Sequence, residues 1–237
     1  KRGAYDEGNF ELNESYREIR TYVTINKNIK TILVTSAEMD EGKTTIICNL
    51  AKCFSELEGV RVLLIDCDFR KRGVSRYFGI ENSFGVSDIV FGNNKKSECI
   101  KRVGDLDIIT SGGVPSNTSI LLNSQSMKDL VSKLREEYDY VFIDSPPICR
   151  LNDACIITQY VDGTIIVNAA KAIDSKGAKI ALDKLNKVGA NIIGVVLNKF
   201  KAEKYSYYSN YYGYSNYYGE HKHKLFGRKK KRRRKTS

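Results

Sequence analysis

Hydrophobic residues fall along this chain in short unbroken runs rather than in alternation: TILVTS at 31–36, VRVLLID at 60–66, LDIITSG at 106–112, YVFID at 140–144, GTIIVNA at 163–169 and NIIGVVLN at 191–198. Strands of that kind are buried on both faces, as in a parallel sheet covered by helices. Between the runs lie stretches with helical character, over 43 to about 57, in a long segment ending near Tyr138, over about 152–160 and over about 175–188. Strand and helix in alternation predict an α/β fold with a mostly parallel central sheet and helices on both faces. The pattern closes near Phe200.

The first run leads straight into AEMDEGKTT at 37–45, which is followed by the apolar stretch IICNLAKCF. An apolar strand, a loop ending Gly-Lys-Thr and a helix form a phosphate-binding loop, so the fold expected is that of the P-loop NTPases. The chemistry is specific. Gly42 permits close backbone approach, and the helix behind it aims unpaired amides at an anion. Lys43 brings a point charge to the outer phosphates, and the Thr44 hydroxyl is placed to ligate Mg²⁺. Glu41, Gly42, Lys43, Thr44 and Thr45 are the expected nucleotide contacts. Ala37 stands where the loop's usual first glycine would be, and Asp40 and Glu41 put two carboxylates beside a site meant for anions.

A P-loop also needs a carboxylate near its metal, normally at the end of a neighbouring apolar strand. YVFID ends in Asp144, and VLLIDCDFR supplies Asp66 and Asp68. Two acids one residue apart at a strand end can divide labour, one facing the metal's water shell and the other the incoming nucleophile. Asn198, which ends GVVLN, is either a donor to the adenine edge or an ordinary strand-end turn residue.

Charge changes the picture only once it is located. The formal net charge of +11 suggests a nucleic-acid binder, yet residues 1–200 hold 27 Lys and Arg against 26 Asp and Glu. The basicity belongs to the end of the chain, and no nucleic acid is expected as a partner. Residues 205–218, YSYYSNYYGYSNYY, carry eight tyrosines, and residues 228–235, RKKKRRRK, are all cations. Neither block has an apolar period, so both are expected to be disordered. The six cysteines form no C-x-x-C pair and sit mostly in apolar runs, which suits small buried hydrophobes in a reducing cytosol. No apolar run approaches the roughly 18 residues of a membrane span. The chain opens Lys1-Arg2 without Met and reads as a fragment that leaves room for an upstream membrane segment.

AEMDEGKTT, VLLIDCDFR and YVFIDSPP, in this order and spacing, resemble the three nucleotide motifs of the bacterial tyrosine kinases of capsular and exopolysaccharide synthesis, in the Gram-positive arrangement. NESYREIRT extends the resemblance, matching that family's E-x-x-R-x-x-R helix at Glu14, Arg17 and Arg20, as does the tyrosine cluster. The resemblance implies ATP and Mg²⁺ as cofactors and Lys43, Asp66, Asp68 and Asp144 as catalytic residues. Thr44, Asp68 and Asp144 would surround the metal, and Asp66 would orient or deprotonate a tyrosine hydroxyl. The acceptors would be Tyr205, Tyr207, Tyr208, Tyr211, Tyr212, Tyr214, Tyr217 and Tyr218, presented to a neighbouring subunit. Glu14, Arg17 and Arg20 would build a homo-oligomeric ring.

The resemblance divides the chain into a helical oligomerisation segment (1–30), a kinase domain (31–200), a tyrosine-rich tail (201–220) and a polybasic tail (221–237). It implies a cytoplasmic location at the inner face of the plasma membrane and a membrane-anchored activator of the polysaccharide co-polymerase type. The basic block adds a possible contact with anionic lipid. Some positions depart from the family pattern: Asp40 replaces a glycine, Arg70-Lys71-Arg72-Gly73 replaces an ending in Arg-Arg-Pro, and 114–119 replaces a proline-rich segment. Two other readings stay open, a non-catalytic ATP-binding adaptor and a partition-type ATPase. Against the second, Glu38 stands where those enzymes carry a signature lysine.

Overall fold

The computed structural model describes residues 10–170 and 176–200. The tail tyrosines and the basic block lie outside the described residues. The order of elements is α1 (Phe10–Ile25), β1 (Thr31–Ser36), α2 (Lys43–Ser55), β2 (Val62–Asp66), α3 (Gly73–Phe78), α4 (Val86–Val90), α5 (Lys96–Cys99), β3 (Ile100–Val103), β4 (Leu106–Ile109), α6 (Thr118–Asn123), α7 (Gln125–Glu137), β5 (Tyr140–Asp144), α8 (Asp153–Ile157), β6 (Gly163–Ala169), α9 (Lys176–Lys187) and β7 (Ile192–Asn198). The strands form one seven-stranded sheet in the order β3-β4-β2-β5-β1-β6-β7. All neighbours are parallel except β3, which runs antiparallel to β4.

Side chains alternate across each strand and so feed two separate cores. Ile32, Val34, Leu64, Phe142 and Val167 pack under α1 and α2, with Tyr16, Val23, Ile47, Leu50 and Phe54. Leu33, Ile65, Ile143 and Ile166 face the other way, against Val131 and Leu134 of α7, Ala154 of α8, and Ala181 and Leu185 of α9. The unbroken apolar runs thus have both faces buried, as their composition requires. The first helix lies on the α2 face of the sheet within the same compact unit as the strands, which extends to Phe200.

Three details differ from the sequence pattern. The run 106–112 stays a strand only to Ile109, because Thr110 and Ser111 turn their carbonyls to the amides of Val86 and Ser87. The long helix before Tyr138 is two helices, broken at Ser124, whose hydroxyl accepts from the Met127 amide and caps α7. Between β2 and β4 the chain builds α3, α4, α5 and the short edge strand β3, none of which its periodicity announces.

Candidate active site

The sheet order reverses at β1, between β5 and β6, and the loop leaving β1 stands at the carboxyl ends of the strands. That position is the ligand crevice of open α/β sheets. Residues 37–42 carry the chain from β1 into α2. Gly42 adopts φ 91, where an L side chain is strained, and a Cβ there would stand 2.1 Å from Nδ2 of Asn198. Asp40 also has positive φ, at 61, the backbone a glycine would take. Its carboxylate turns outward, 82% exposed, and pairs with Lys71 Nζ at 2.8 Å. That pairing, first by hydrogen bond and then by charge, holds the Asp40 carboxyl below its usual range.

The Glu41 side chain also faces away from the phosphate side. Its Oε2 accepts the Glu38 amide at 2.8 Å and its Oε1 the Ala169 amide at 3.3 Å, tying the loop to itself and to β6. The sequence expectation of two carboxylates crowding an anion site is therefore corrected, since both acids are spent on holding the loop. Asn198 likewise uses its side chain within the protein, donating Nδ2 to the Glu41 carbonyl at 2.8 Å and accepting the Lys199 amide at 2.8 Å.

Lys43, Thr44, Asp68 and Asp144 are brought together. Lys43 Nζ lies 3.0 Å from Asp68 Oδ2, 3.4 Å from Asp144 Oδ1 and 3.3 Å from Thr44 Oγ1. Thr44 donates its hydroxyl to Asp144 Oδ2 at 2.8 Å. Burial works against the Lys43 charge, but Asp144 and Asp68 outweigh it and raise the ammonium above its ordinary range. Thr45 follows in the first turn of α2. Gly73 approaches so closely that a Cβ there would lie 2.7 Å from the Thr44 methyl, so the ending in glycine brings the turn after Asp68 against a metal-ligand candidate.

Asp66 sits deeper. It is fully buried beside Asp144 in the β2–β5 register, and its two oxygens accept the backbone amides of Asp68 at 3.0 Å and Val74 at 3.1 Å. It organises the turn that presents Asp68. Burial first, then the Asp144 charge, pushes its carboxyl up to about 8. Burial also raises Asp144, against the opposing pull of Lys43.

Among the described residues the buried Asp144 Oδ1 has no hydrogen-bond partner and only its ion pair with Lys43. Asp68 and Asp144 set two carboxylates around the one ammonium of Lys43, and hard oxygen donors of this kind fit Mg²⁺. Among the described residues no three His, Cys, Asp or Glu side chains close a metal site by themselves.

The E-x-x-R-x-x-R residues lie on α1, with Glu14 paired to Arg17 within the helix and Arg20 donating to the Cys53 carbonyl of α2. In one chain, then, Arg20 fastens α1 to its own α2. Glu38, in place of a signature lysine, pairs with Arg150 at 3.0 Å. Cys48, Cys53, Cys67 and Cys99 are buried, and Cys149 and Cys155 half-buried. Sequence reasoning missed Lys71 and Lys199, whose ammonium groups reach the Asp40 carboxylate and carbonyl respectively. Their only signal was that both are cations following strand ends.

This arrangement defines a nucleotide-binding protein of the P-loop class. A family model described as "AAA domain" matches residues 29–196. The tyrosine-protein kinase YwqD of Bacillus subtilis is 34% identical over 205 residues, covering 84% of this chain and 86% of the relative. The putative tyrosine-protein kinase CapB of Staphylococcus aureus is 31% identical over 214 residues, covering 88% and 93%. Among solved structures the chimerical protein CapA2B2 superposes with a TM-score of 0.79 at 28% identity, over 83% of this chain and 88% of that one. The chain belongs to the bacterial tyrosine-protein kinases built on the P-loop fold.

Proposed function

We propose that this kinase transfers the γ-phosphoryl group of Mg-ATP to tyrosines of its own C-terminal cluster in trans. The reaction would run in a homo-oligomeric ring at the inner face of the plasma membrane, under a membrane-anchored activator, and would regulate capsule and exopolysaccharide synthesis. The observation that carries the reading is the convergence of Lys43 with Thr44, Asp68 and Asp144 at the mouth of the P-loop. Phosphoryl transfer is largely positioning and charge stabilisation, and this group supplies both.

Thr44, with Asp68 and Asp144 at the water shell, would hold Mg²⁺, which would supply positive charge against the phosphates. Lys43, drawn from its carboxylate partners to the phosphates, stabilises charge on the transferring group. The tyrosine oxygen forms its bond to the γ-phosphorus as the bond to the ADP oxygen breaks, and the phenolic proton passes to a carboxylate. Asp66, whose oxygens hold the 67–74 turn through the Asp68 and Val74 amides, orients or deprotonates the hydroxyl once that turn frees one of them. Tyr205 through Tyr218 supply the acceptors, and α1 the contact with a neighbour, through the half-exposed Glu14 and Arg17, with Arg20 anchoring the helix to α2.

The test is purified full-length chain with Mg-ATP, read by phosphotyrosine immunoblot. A strong signal in the wild type that is lost in Lys43→Met and Asp66→Asn is the expected result. ATP binding with no phosphotyrosine would instead make the protein an adaptor.

A further inference from the structure

We infer that Asn198 and Lys199 are positioning residues, a clasp at the end of β7 that sets the direction of the P-loop amides and does not read the base. The inference rests on the P-loop being the phosphate cradle. Asn198 Nδ2 holds the carbonyl of Glu41 at 2.8 Å, and Lys199 Nζ holds the carbonyl of the preceding residue, Asp40. In a trans peptide the C=O and the following N–H point in opposite directions. Fixing those two carbonyls toward β7 therefore turns the N–H groups of Glu41 and Gly42 to the opposite side of the loop, where a phosphate would meet them.

The clasp is itself constrained. Asn198 Oδ1 accepts the Lys199 amide at 2.8 Å, and Lys199 takes the left-handed backbone at φ 57. Gly42 must lack a side chain, since a Cβ would meet Asn198 Nδ2 at 2.1 Å. The loop needs such a hold. Asp40 at φ 61 is a conformation that, in a residue other than glycine, persists only where the surroundings over-determine it. An Asn198 engaged on both sides of its amide has its orientation set by the loop and by Lys199 rather than by a base.

The experiment compares binding of ATP, GTP and inorganic triphosphate to the full-length wild type, Asn198→Ala, Lys199→Met and Lys199→Arg by calorimetry, with thermal unfolding of each ligand-free protein. For a clasp, Asn198→Ala and Lys199→Met weaken all three ligands by the same factor, about fivefold to tenfold for each hydrogen bond removed. Lys199→Arg, which keeps a donor, recovers most of the loss, and ligand-free melting of the Lys199 variants is unchanged. If Asn198→Ala weakens the nucleotides but leaves triphosphate untouched, Asn198 reads the base and the inference is overturned. Equal affinities in all variants overturn it as well. A wild type that binds no triphosphate species fails the P-loop reading itself, and the clasp with it, an outcome distinct from either of the others.

Discussion

Asp66 and Asp144 meet across the β2–β5 register with Lys43 alone to offset them and Asp68 together, so the cluster's protonation is written into the fold. A free aspartate ionises near pH 3.9, whereas the buried Asp66 carboxyl is pushed up to about 8. Between those values the folded state holds a proton that the unfolded chain has released, so stability must fall as pH rises through that window. Urea unfolding from pH 5 to pH 8 without Mg²⁺ should show the decline. Asp66→Asn should be less stable at pH 5, because an amide cannot accept from both Asp68 and Val74 through two oxygens, yet lose less as pH rises. An unchanged slope would mean that Asp66 is already ionised in the fold. Lys43, Thr44, Asp68 and Asp144 were legible in the sequence because a contiguous motif and strand ends fix them. The role of Asp40 was not, since its φ of 61 and its pairing with Lys71 depend on a turn 31 residues away.

The P-loop is only as rigid as the helix behind it, and Phe54 is the largest of the α2 side chains buried against the sheet, with Ile47 and Leu50. That ring is fully buried and stands edge-on to Tyr140 at 4.6 Å and Phe142 at 5.0 Å between ring centres. Phe54→Ala should cost about 3 to 5 kcal/mol in urea unfolding, the usual range for deleting a buried aromatic ring. A loss below about 1 kcal/mol would mean that α1 and α2 collapse into the space. The elements that could be read from sequence share one physical cause: β1, β2, β5 and β6 are buried on both faces, so their central positions are apolar and their polar residues fall toward the ends. β3, with Lys101 and Arg102 in four residues of an antiparallel edge, is under no such demand. The break between α6 and α7 was hidden for another reason, since Ser124 both ends one helical pattern and caps the next.

At the scale of the whole molecule, charge and chemistry are segregated. Residues 1–200 are almost balanced at 27 cations against 26 anions, while RKKKRRRK and eight tyrosines share the last 37 residues. Near an anionic leaflet each cation contributes about 1 kcal/mol, and each phosphotyrosine adds about −1.5 to −2 charges close by. Vesicles rich in anionic lipid should therefore sediment the unphosphorylated chain and release it once the tail is phosphorylated; equal sedimentation of both forms would remove the tail from membrane binding.

Transfer in trans makes a sharper demand, because the donor site and the acceptor can then be placed on different chains. Full-length Lys43→Met keeps its tyrosines but lacks the charge that stabilises transfer, while a wild-type chain ending at residue 204 keeps the site but lacks the acceptors. Either alone with Mg-ATP should give no tail phosphotyrosine. Mixed, they should label the Lys43→Met chain, which the immunoblot separates by size, and the labelling should depend on total protein concentration as an encounter between subunits requires. Labelling of the full-length wild type with none in the mixture would place the reaction within a single chain and remove the reason for a ring.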